Sequence, residues 1–264
     1  MLVFLLMSVC VVMAIVPDPK KKKKVTTTPT TATTTTTTTK HTTSTKKNTG
    51  KSSSTSKWKH IDYFHEGLAE VQDTNDKYGY IDKTGKLVIP CQWKGAAGFS
   101  EGLARVQDDN GKYGYIDKTG QLVIPCQWNF ANPFYESLAA VEDTYDKWGF
   151  IDKTGKIVIP CKWKRADSFH EGLAPVKDTY GKWGFVDKTG QVVLPSKWSL
   201  AWSFSEGLAS VMDATGKWGY IDKTGKLVIS CRWNNVFPFR NGRAEVLDSN
   251  GKYVYIDKTG KVVK

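Results

Sequence analysis

The sequence lacks the short motifs by which common catalytic sites are recognised. It has no Gly-rich phosphate loop, no Gly-x-Ser-x-Gly nucleophile elbow and no His-Glu-x-x-His pair. Its cysteines also lack the paired spacing of a zinc site. We therefore expect no catalytic residue, no metal and no cofactor, and interpret the protein as a non-enzyme.

The chain also lacks an apolar run long enough for a comfortable membrane span. Its longest, Leu2 to Val16, has 15 uncharged residues, which fits the hydrophobic region of a secretory signal. Residues 1–16 are therefore predicted to direct export. No Lys or Arg precedes this run and Lys20 to Lys24 follow it, a charge order that favours a cytoplasmic carboxyl side. Membrane anchoring through Leu2 to Val16 is thus the alternative.

Aromatic residues are absent between Val25 and Ser56, where Thr and Ser alternate with Lys and Pro29 is the only proline. Such a segment cannot bury enough apolar area to offset its conformational entropy. Residues 17–57 are predicted to be a disordered Lys/Thr-rich linker. An O-glycosylated stalk would suit an exported protein, and a plain solvated linker is the other interpretation.

The positive charge lies mostly outside the part expected to fold. The formal net charge is +12, and residues 1–57 hold ten Lys and one Asp, or +9. Residues 58–264 hold 28 basic and 25 acidic side chains, or +3. Because nucleic-acid-binding surfaces are usually basic on one face, nucleic acid is not expected as a partner.

Residues 58–264 repeat one pattern six times at a spacing of 35 residues, as in the stretch from Lys147 to Pro160. Each unit offers three strand-like runs separated by turn signals, which predicts an all-β fold of tandem three-stranded meanders. The last run keeps a central Val between aliphatic residues, and we expect both of its faces to be buried. An Asp-Lys-Thr-Gly sequence precedes that run and is typical of a type I turn followed by a left-handed glycine.

Aromatic residues recur in four columns. The Phe column from Phe64 to Phe239 and the Trp column from Trp58 to Trp233 do not vary, which favours core packing between units. A mixed column contains Trp148, Trp183 and Trp218 where other units have Tyr. Stacked Trp and Tyr rings also form carbohydrate sites, so a binding role for the mixed column stays open.

Two further columns carry reactive or charged side chains. Cys91, Cys126, Cys161 and Cys231 are equivalent positions one or more repeats apart, a geometry that disfavours disulfides between them. A Glu column recurs in five units and becomes Asn241 in the last. Repetition of this kind favours a structural or multivalent role over a single active site. The column's members are Glu66, Glu101, Glu136, Glu171 and Glu206.

The repeated sequence Lys-Trp-Gly-(Tyr/Phe)-(Ile/Val)-Asp-Lys-Thr-Gly, followed by an aliphatic run, Pro, Cys-x-Trp and Phe-x-Glu-Gly-Leu-Ala, resembles the WG-repeat family over residues 58–264. Departures include Val254 in place of the Gly and Ser137 in place of the turn Gly. The resemblance implies an all-β repeat module that acts as a binding platform, with no catalytic residues to assign.

Two architectures fit this pattern, a closed propeller-like ring and an open stack. The last unit ends at Lys264, before its Pro-Cys-x-Trp segment, whereas Ser56 to Trp58 supply an equivalent segment at the front. Complementary ends slightly favour the ring, which would also remove exposed strand edges.

The leading functional hypothesis is a secreted or surface-displayed module that binds a protein or another ligand through its repeats. The alternatives are a carbohydrate or cell-wall binder, a membrane-anchored scaffold, and an enzyme built on the atypical side chains of the third unit. Those side chains are Asn129, Asn132, Tyr135 and Ser137. Repeat proteins bind through positions that differ between units, so the candidate ligand-binding residues are Glu70, Arg105, Trp148, Trp183, Trp218 and Glu245.

Overall fold

The computed structural model describes residues 57–263 and contains 24 strands in six four-stranded antiparallel sheets. Each sheet comes from one repeat, and its strands pair in the order of the chain. Within this range no helix is long and apolar enough to cross a membrane. The signal or anchor predicted for residues 1–16 and nearly all of the linker predicted for 17–57 lie outside the described residues.

The strands of the first three sheets are β1 (His60–His65), β2 (Leu68–Gln72), β3 (Tyr78–Asp82), β4 (Leu87–Trp93), β5 (Gly95–Ala96), β6 (Ala104–Gln107), β7 (Tyr113–Ile116), β8 (Leu122–Trp128), β9 (Phe130–Ala131), β10 (Leu138–Glu142), β11 (Trp148–Asp152) and β12 (Ile157–Trp163). The strands of the last three are β13 (Arg165–Ala166), β14 (Leu173–Lys177), β15 (Trp183–Asp187), β16 (Val192–Trp198), β17 (Leu200–Ser205), β18 (Leu208–Met212), β19 (Trp218–Ile221), β20 (Leu227–Trp233), β21 (Asn235–Val236), β22 (Arg243–Leu247), β23 (Tyr253–Asp257) and β24 (Val262–Val263).

The prediction of an all-β fold is confirmed, but three strands per unit is wrong. Each sheet begins with an additional strand, which pairs with the first of the three predicted runs. In four of the sheets this strand has only two residues, such as Gly95–Ala96. Two residues are too few to show the alternation of polar and apolar side chains by which a strand is recognised.

The last strand of the first five sheets is buried on one face only, so the prediction of two buried faces is wrong. Ile124 and Ile159 are fully buried, whereas the central Val123 and Val158 are 39% and 40% exposed. The last strand lies at the edge of its sheet, and the face that carries the central Val is open to solvent. The recurring Val at this position is explained by the preference of β-branched residues for strands as much as by burial.

The Asp-Lys-Thr-Gly turns have the predicted geometry. Asp82 Oδ1 accepts hydrogen bonds from the backbone N–H and hydroxyl of Thr84 and from the N–H of Lys86, at 2.5–3.1 Å. Gly85 donates its N–H to the carbonyl of Asp82 and has φ +82°. The hydroxyl hydrogen bond lowers the pKa of Asp82. The carboxylate of each such turn caps backbone amides, which is the structural role expected.

Consecutive sheets pack through an aromatic pair. A Tyr or Phe on the third strand of one sheet contacts the Phe that precedes the second strand of the next. Five such pairs have centroid separations of 4.8–5.1 Å: Tyr80–Phe99, Tyr115–Phe134, Phe150–Phe169, Phe185–Phe204 and Tyr220–Phe239. Where the first partner is Tyr, its buried hydroxyl donates to a backbone carbonyl of the next sheet. The Phe column is therefore core, as predicted, in sheets two to six.

The recurring Glu is a clasp between neighbouring sheets. Glu136 accepts a hydrogen bond from the N–H of Gly172 at 3.0 Å and forms an ion pair with Lys188 at 3.0 Å. The same arrangement recurs at every junction, with ion-pair distances of 3.0–3.3 Å. The structural interpretation of this column is confirmed.

The clasp predicts acid sensitivity. Burial raises the pKa of Glu136, but hydrogen bonds from Lys188 and Gly172 outweigh it, and the net shift is downward. A lowered folded-state pKa stabilises above the unfolded value, about 4.3, and this contribution is lost as the pH falls through the folded pKa. We expect Glu136→Gln to lower the melting temperature at neutral pH. At about pH 3.5 the difference in melting temperature between this variant and wild type should be smaller. Equal differences at both pH values would contradict this role.

The array is open at both ends rather than closed as a ring. Phe64 in the first sheet is 44% exposed and Tyr255 in the sixth is 49% exposed, although their counterparts in other sheets are buried. The expected closure through the segment before β1 is not seen, since Lys57 and Trp58 belong to no strand. The last sheet is completed only by the two-residue β24, Val262–Val263.

Two substitutions in the last unit agree with an open end. Asn241 stands where the other units have the Glu of the clasp, and it cannot form the ion pair that holds a following sheet. Val254 stands where the other sheets have the Gly of the Trp-Gly motif. In the third sheet a Cβ on that Gly, Gly149, would lie 2.5 Å from the carbonyl oxygen of Ile159. Val254 is therefore compatible with a sheet whose last strand stops early.

The four cysteines of the repeats are free thiols beside this glycine. In the third sheet the Sγ of Cys161 would lie 2.8 Å from a Cβ at Gly149. Burial raises the pKa of Cys126 and of Cys161 to about 11. The thiols fill space under the outer strand, where Ser196 takes the same place in the fourth sheet.

Candidate ligand-binding groove

The variable column on the second strands lies between the sheets. Arg105 donates to the carbonyl of Ala131 at 2.5 Å, and its guanidinium lies over the rings of Tyr113 and Phe130. Arg105 is thus engaged in the junction between the second and third sheets. Arg105 was a candidate for ligand contact because this column differs between units. Such a difference can equally adapt one junction to its own neighbouring residues.

Glu70 and Glu245 occupy the two ends of the same column. Burial raises the pKa of Glu70 to about 7, with the nearby carboxylate of Asp62 as a second, smaller cause. Glu245 lines a cavity of about 590 Å³ at the open end of the sixth sheet, together with Tyr255 and Arg243. Arg105 lies close enough to Glu70 for its charge to lower the pKa of that carboxyl, whereas Glu245 lies in the sixth sheet, apart from both.

The tryptophans of the mixed column are buried. Trp148, Trp183 and Trp218 are 5–7% exposed, and Trp148 donates its Nε1–H to Glu142 at 2.8 Å. Their ring faces are covered by protein, which leaves no open stacking surface on these three residues. Edges of Trp148 and Trp183 nevertheless reach one cavity.

Trp202 is the exposed tryptophan that the columns do not predict. It lies in β17, is 49% exposed, and stacks on Trp218 with ring centroids 6.3 Å apart and planes 9° from parallel. The buried Trp218 supports one face of Trp202. A planar apolar side chain held rigidly in this way is suited to ligand contact.

Two cavities flank Trp202, and both are lined by Trp202 and Asp167; we name them together the Trp202 groove. One has about 370 Å³ and reaches toward the third sheet, and the other has about 620 Å³ and reaches toward the sixth. Both volumes are within the range of ligand pockets. The polar and charged side chains along the groove are Asn132, Arg165, Asp167, His170, Lys177, Ser203, Ser205, Asn235 and Arg240.

The groove forms where the units differ most in the strands and turns that precede the conserved Phe. At the position of Trp202 the other units have Asp62, Ala97, Asn132, Asp167 and Phe237. Asp62 and Trp202 lie within the first strand of their sheets, and the other four residues follow directly after a two-residue first strand. Trp202 is also the one tryptophan of the ten outside the two Trp columns, and that numerical exception could have identified it from the sequence.

The atypical side chains of the third unit engage separate neighbours. Asn129 accepts a hydrogen bond from Lys112, Tyr135 packs on His170 with ring centroids 4.9 Å apart, and the N–H of Ser137 donates to Glu101. His65, the other histidine of this column, is exposed in the first sheet. Across residues 57–263 no three His, Cys, Asp or Glu side chains are arranged to hold a metal ion.

Comparison with solved structures relates the fold to propeller-like proteins. The computationally designed Ika8 protein matches with a TM-score of 0.52 and 11% identity, over 77% of this chain and 73% of that one. BamB from Moraxella catarrhalis matches with a TM-score of 0.50 and 12% identity, over 77% and 72%. At these identities the likeness shows the fold alone.

Comparison with curated protein sequences finds no match. A family model described as WG containing repeat matches residues 78–113, 113–144, 148–183, 183–214 and 218–253. These five matches start at the Trp-Gly, Tyr-Gly or equivalent positions that the repeat pattern identifies. Because they extend over more than half of the chain, the chain belongs to the WG-repeat family.

Proposed function

We propose that the protein is a non-enzymatic interaction module that binds a protein ligand in the Trp202 groove. The observation that carries this proposal is the exposed Trp202, supported by Trp218 and flanked by two cavities. The repeated residues of the structure are engaged in turns and sheet junctions, which leaves the differing residues for recognition. The proposal is therefore binding in one groove, in place of multivalent binding through the repeats.

The setting that we propose is the secreted or surface-displayed one. It rests on Leu2 to Val16 and on the Thr-rich residues that follow. A scaffold anchored through the same run is the alternative, and protease accessibility of the linker in intact cells separates the two.

A glycan is the second candidate ligand. An exposed indole beside Asp167 and Asn235 combines the stacking surface and hydrogen-bonding groups of a sugar site. The burial of Trp148, Trp183 and Trp218 leaves Trp202 as the main stacking surface for this candidate. Glycan-array binding that is lost with Trp202→Ala would favour it over a protein ligand.

The proposal is tested by selecting ligands from a random peptide library displayed on phage, with the full chain immobilised. We expect selected peptides to lose at least tenfold in affinity for Trp202→Ala, because a buried aromatic anchor carries much of an interface's binding energy. Alanine is the residue at the equivalent Ala97, so the fold accommodates it.

Tyr180→Ala is the matched control. Tyr180 is 89% exposed and lies in a turn outside the groove, so its removal should leave the affinity unchanged. Melting temperatures of both variants confirm that each remains folded. Peptides that bind wild type and Trp202→Ala equally would contradict the proposal.

A further inference from the structure

The Trp202 groove carries more positive than negative charge. Arg165, Lys177 and Arg240 line it, and Asp167 is the one carboxylate among its lining residues. Within residues 57–263 none of the three cations forms an ion pair, although the lysines at the sheet junctions all do. The groove thus contains three cations that no carboxylate of the described residues approaches within ion-pair distance.

Asp167 is already engaged by the protein. Its Oδ1 accepts a hydrogen bond from the backbone N–H of Ser168 at 2.8 Å, and Asn132 Nδ2 lies 3.4 Å from the same oxygen. The carboxylate therefore bonds Ser168 and Asn132 at the place where the two cavities meet. It does not neutralise Arg165, whose guanidinium lies 5.9 Å from the centre of the Trp148 ring.

Apolar surface accompanies these charges. Trp202 and Phe237 are 49% and 43% exposed and line the larger cavity together with Pro238. Large exposed apolar side chains in a concave site indicate contact with apolar groups of a partner. The groove therefore offers apolar contact and unpaired positive charge side by side.

Resting on the function proposed above, we propose that the ligand of the Trp202 groove is an acidic peptide segment. An apolar side chain of the segment packs against Trp202 and Phe237, and its Asp or Glu carboxylates pair with Arg240, Lys177 and Arg165. Charge-assisted hydrogen bonds to arginine suit carboxylates in particular. Nucleic acid fits less well, because residues 58–264 carry a net charge of only +3 and the phosphate backbone calls for a larger basic face.

The selected phage peptides provide the test. We expect them to contain at least twice the Asp and Glu content of the unselected library. Synthetic copies with Asn and Gln in place of Asp and Glu should bind at least tenfold more weakly by fluorescence anisotropy. Arg240→Gln in the full chain should weaken the acidic peptides at least fivefold, and added salt should reduce that difference.

Lys156→Gln is the control, since Lys156 is exposed and lies outside the groove. Peptides that need Trp202 but show no acidic enrichment and no effect of Arg240→Gln would overturn the acidic ligand and leave the proposed function standing. Peptides indifferent to Trp202→Ala would overturn the proposed function. Failure to select any peptide with a Kd below about 100 µM would overturn both.

Discussion

Gly149→Ala is expected to destabilise the protein by about 3–5 kcal/mol, more than an ordinary substitution of a strand glycine. The added Cβ would lie 2.5 Å from the carbonyl oxygen of Ile159 and 2.8 Å from the backbone nitrogen of Cys161. The outer strand β12 bulges past β11 at this point, because the pairing skips from Trp148–Trp163 to Phe150–Ile159. Backbone atoms of a paired strand cannot move aside as a flexible side chain can. Urea unfolding followed by tryptophan fluorescence measures the change.

Val254→Ala is the control for this position. Val254 occupies the equivalent place in the sixth sheet, where the outer strand is only Val262–Val263. Shortening its side chain should cost about 1 kcal/mol through lost packing alone. If Gly149→Ala were as mild as Val254→Ala, the steric account of the Trp-Gly motif would be wrong.

Phe169→Ala is expected to lower the free energy of unfolding by about 3–5 kcal/mol. Phe169 is fully buried and packs against Phe150 of the preceding sheet, with ring centroids 4.8 Å apart. Its removal opens a cavity in the middle of the array, where neighbouring sheets on both sides limit relaxation. The free energy of unfolding from urea titration is again the measurement.

Phe64→Ala isolates the contribution of the neighbouring sheet. Phe64 belongs to the same column but is 44% exposed, because within residues 57–263 no sheet packs on this side of the first. We expect its truncation to cost about 1 kcal/mol or less. A loss as large as that of Phe169→Ala would mean that Phe64 is buried in solution and that the ends of the array meet.

The repeat pattern was sufficient to predict the turns, the aromatic junctions and the all-β class. Asp82 acts through contacts that recur in every unit, and Phe134 through contacts that recur at each of the five junctions, so recurrence itself indicates their role. The structural role of the Glu clasp could also be predicted from the sequence, because the Glu of Glu136 recurs in five units and only the last unit has Asn241 instead. That exception falls in the one described sheet whose Glu position has no following sheet among residues 57–263.

The short first strands and the open ends were not predicted. Gly95–Ala96 has too few residues to show a strand periodicity, and the preference for a ring relied on the matching ends of the sequence. The sequence also does not show that the backbone of the outer strand leaves no room for a Cβ at Gly149, the position that Val254 occupies in the sixth sheet. Closure depends on the angle between sheets, which no single residue type encodes.

For a related reason, the sequence could not show which candidate ligand-binding residues are exposed. Trp183 and Arg105 have side chains typical of ligand contact, yet both serve junctions between sheets. Exposure decides between these roles, and it depends on which sheet edge faces solvent. The expectation that function lies where the units differ remains the basis of the proposal, with Trp202 as its centre.

Hydrogen exchange of the full chain, with and without a selected peptide, tests most directly whether binding resides in one groove built from unrepeated residues. The account predicts added protection in residues 165–170, 200–205 and 235–240, with little change in the equivalent segments of the first two sheets. Protection of similar size in the equivalent segments of all six sheets would contradict it and would assign binding to the repeated residues instead.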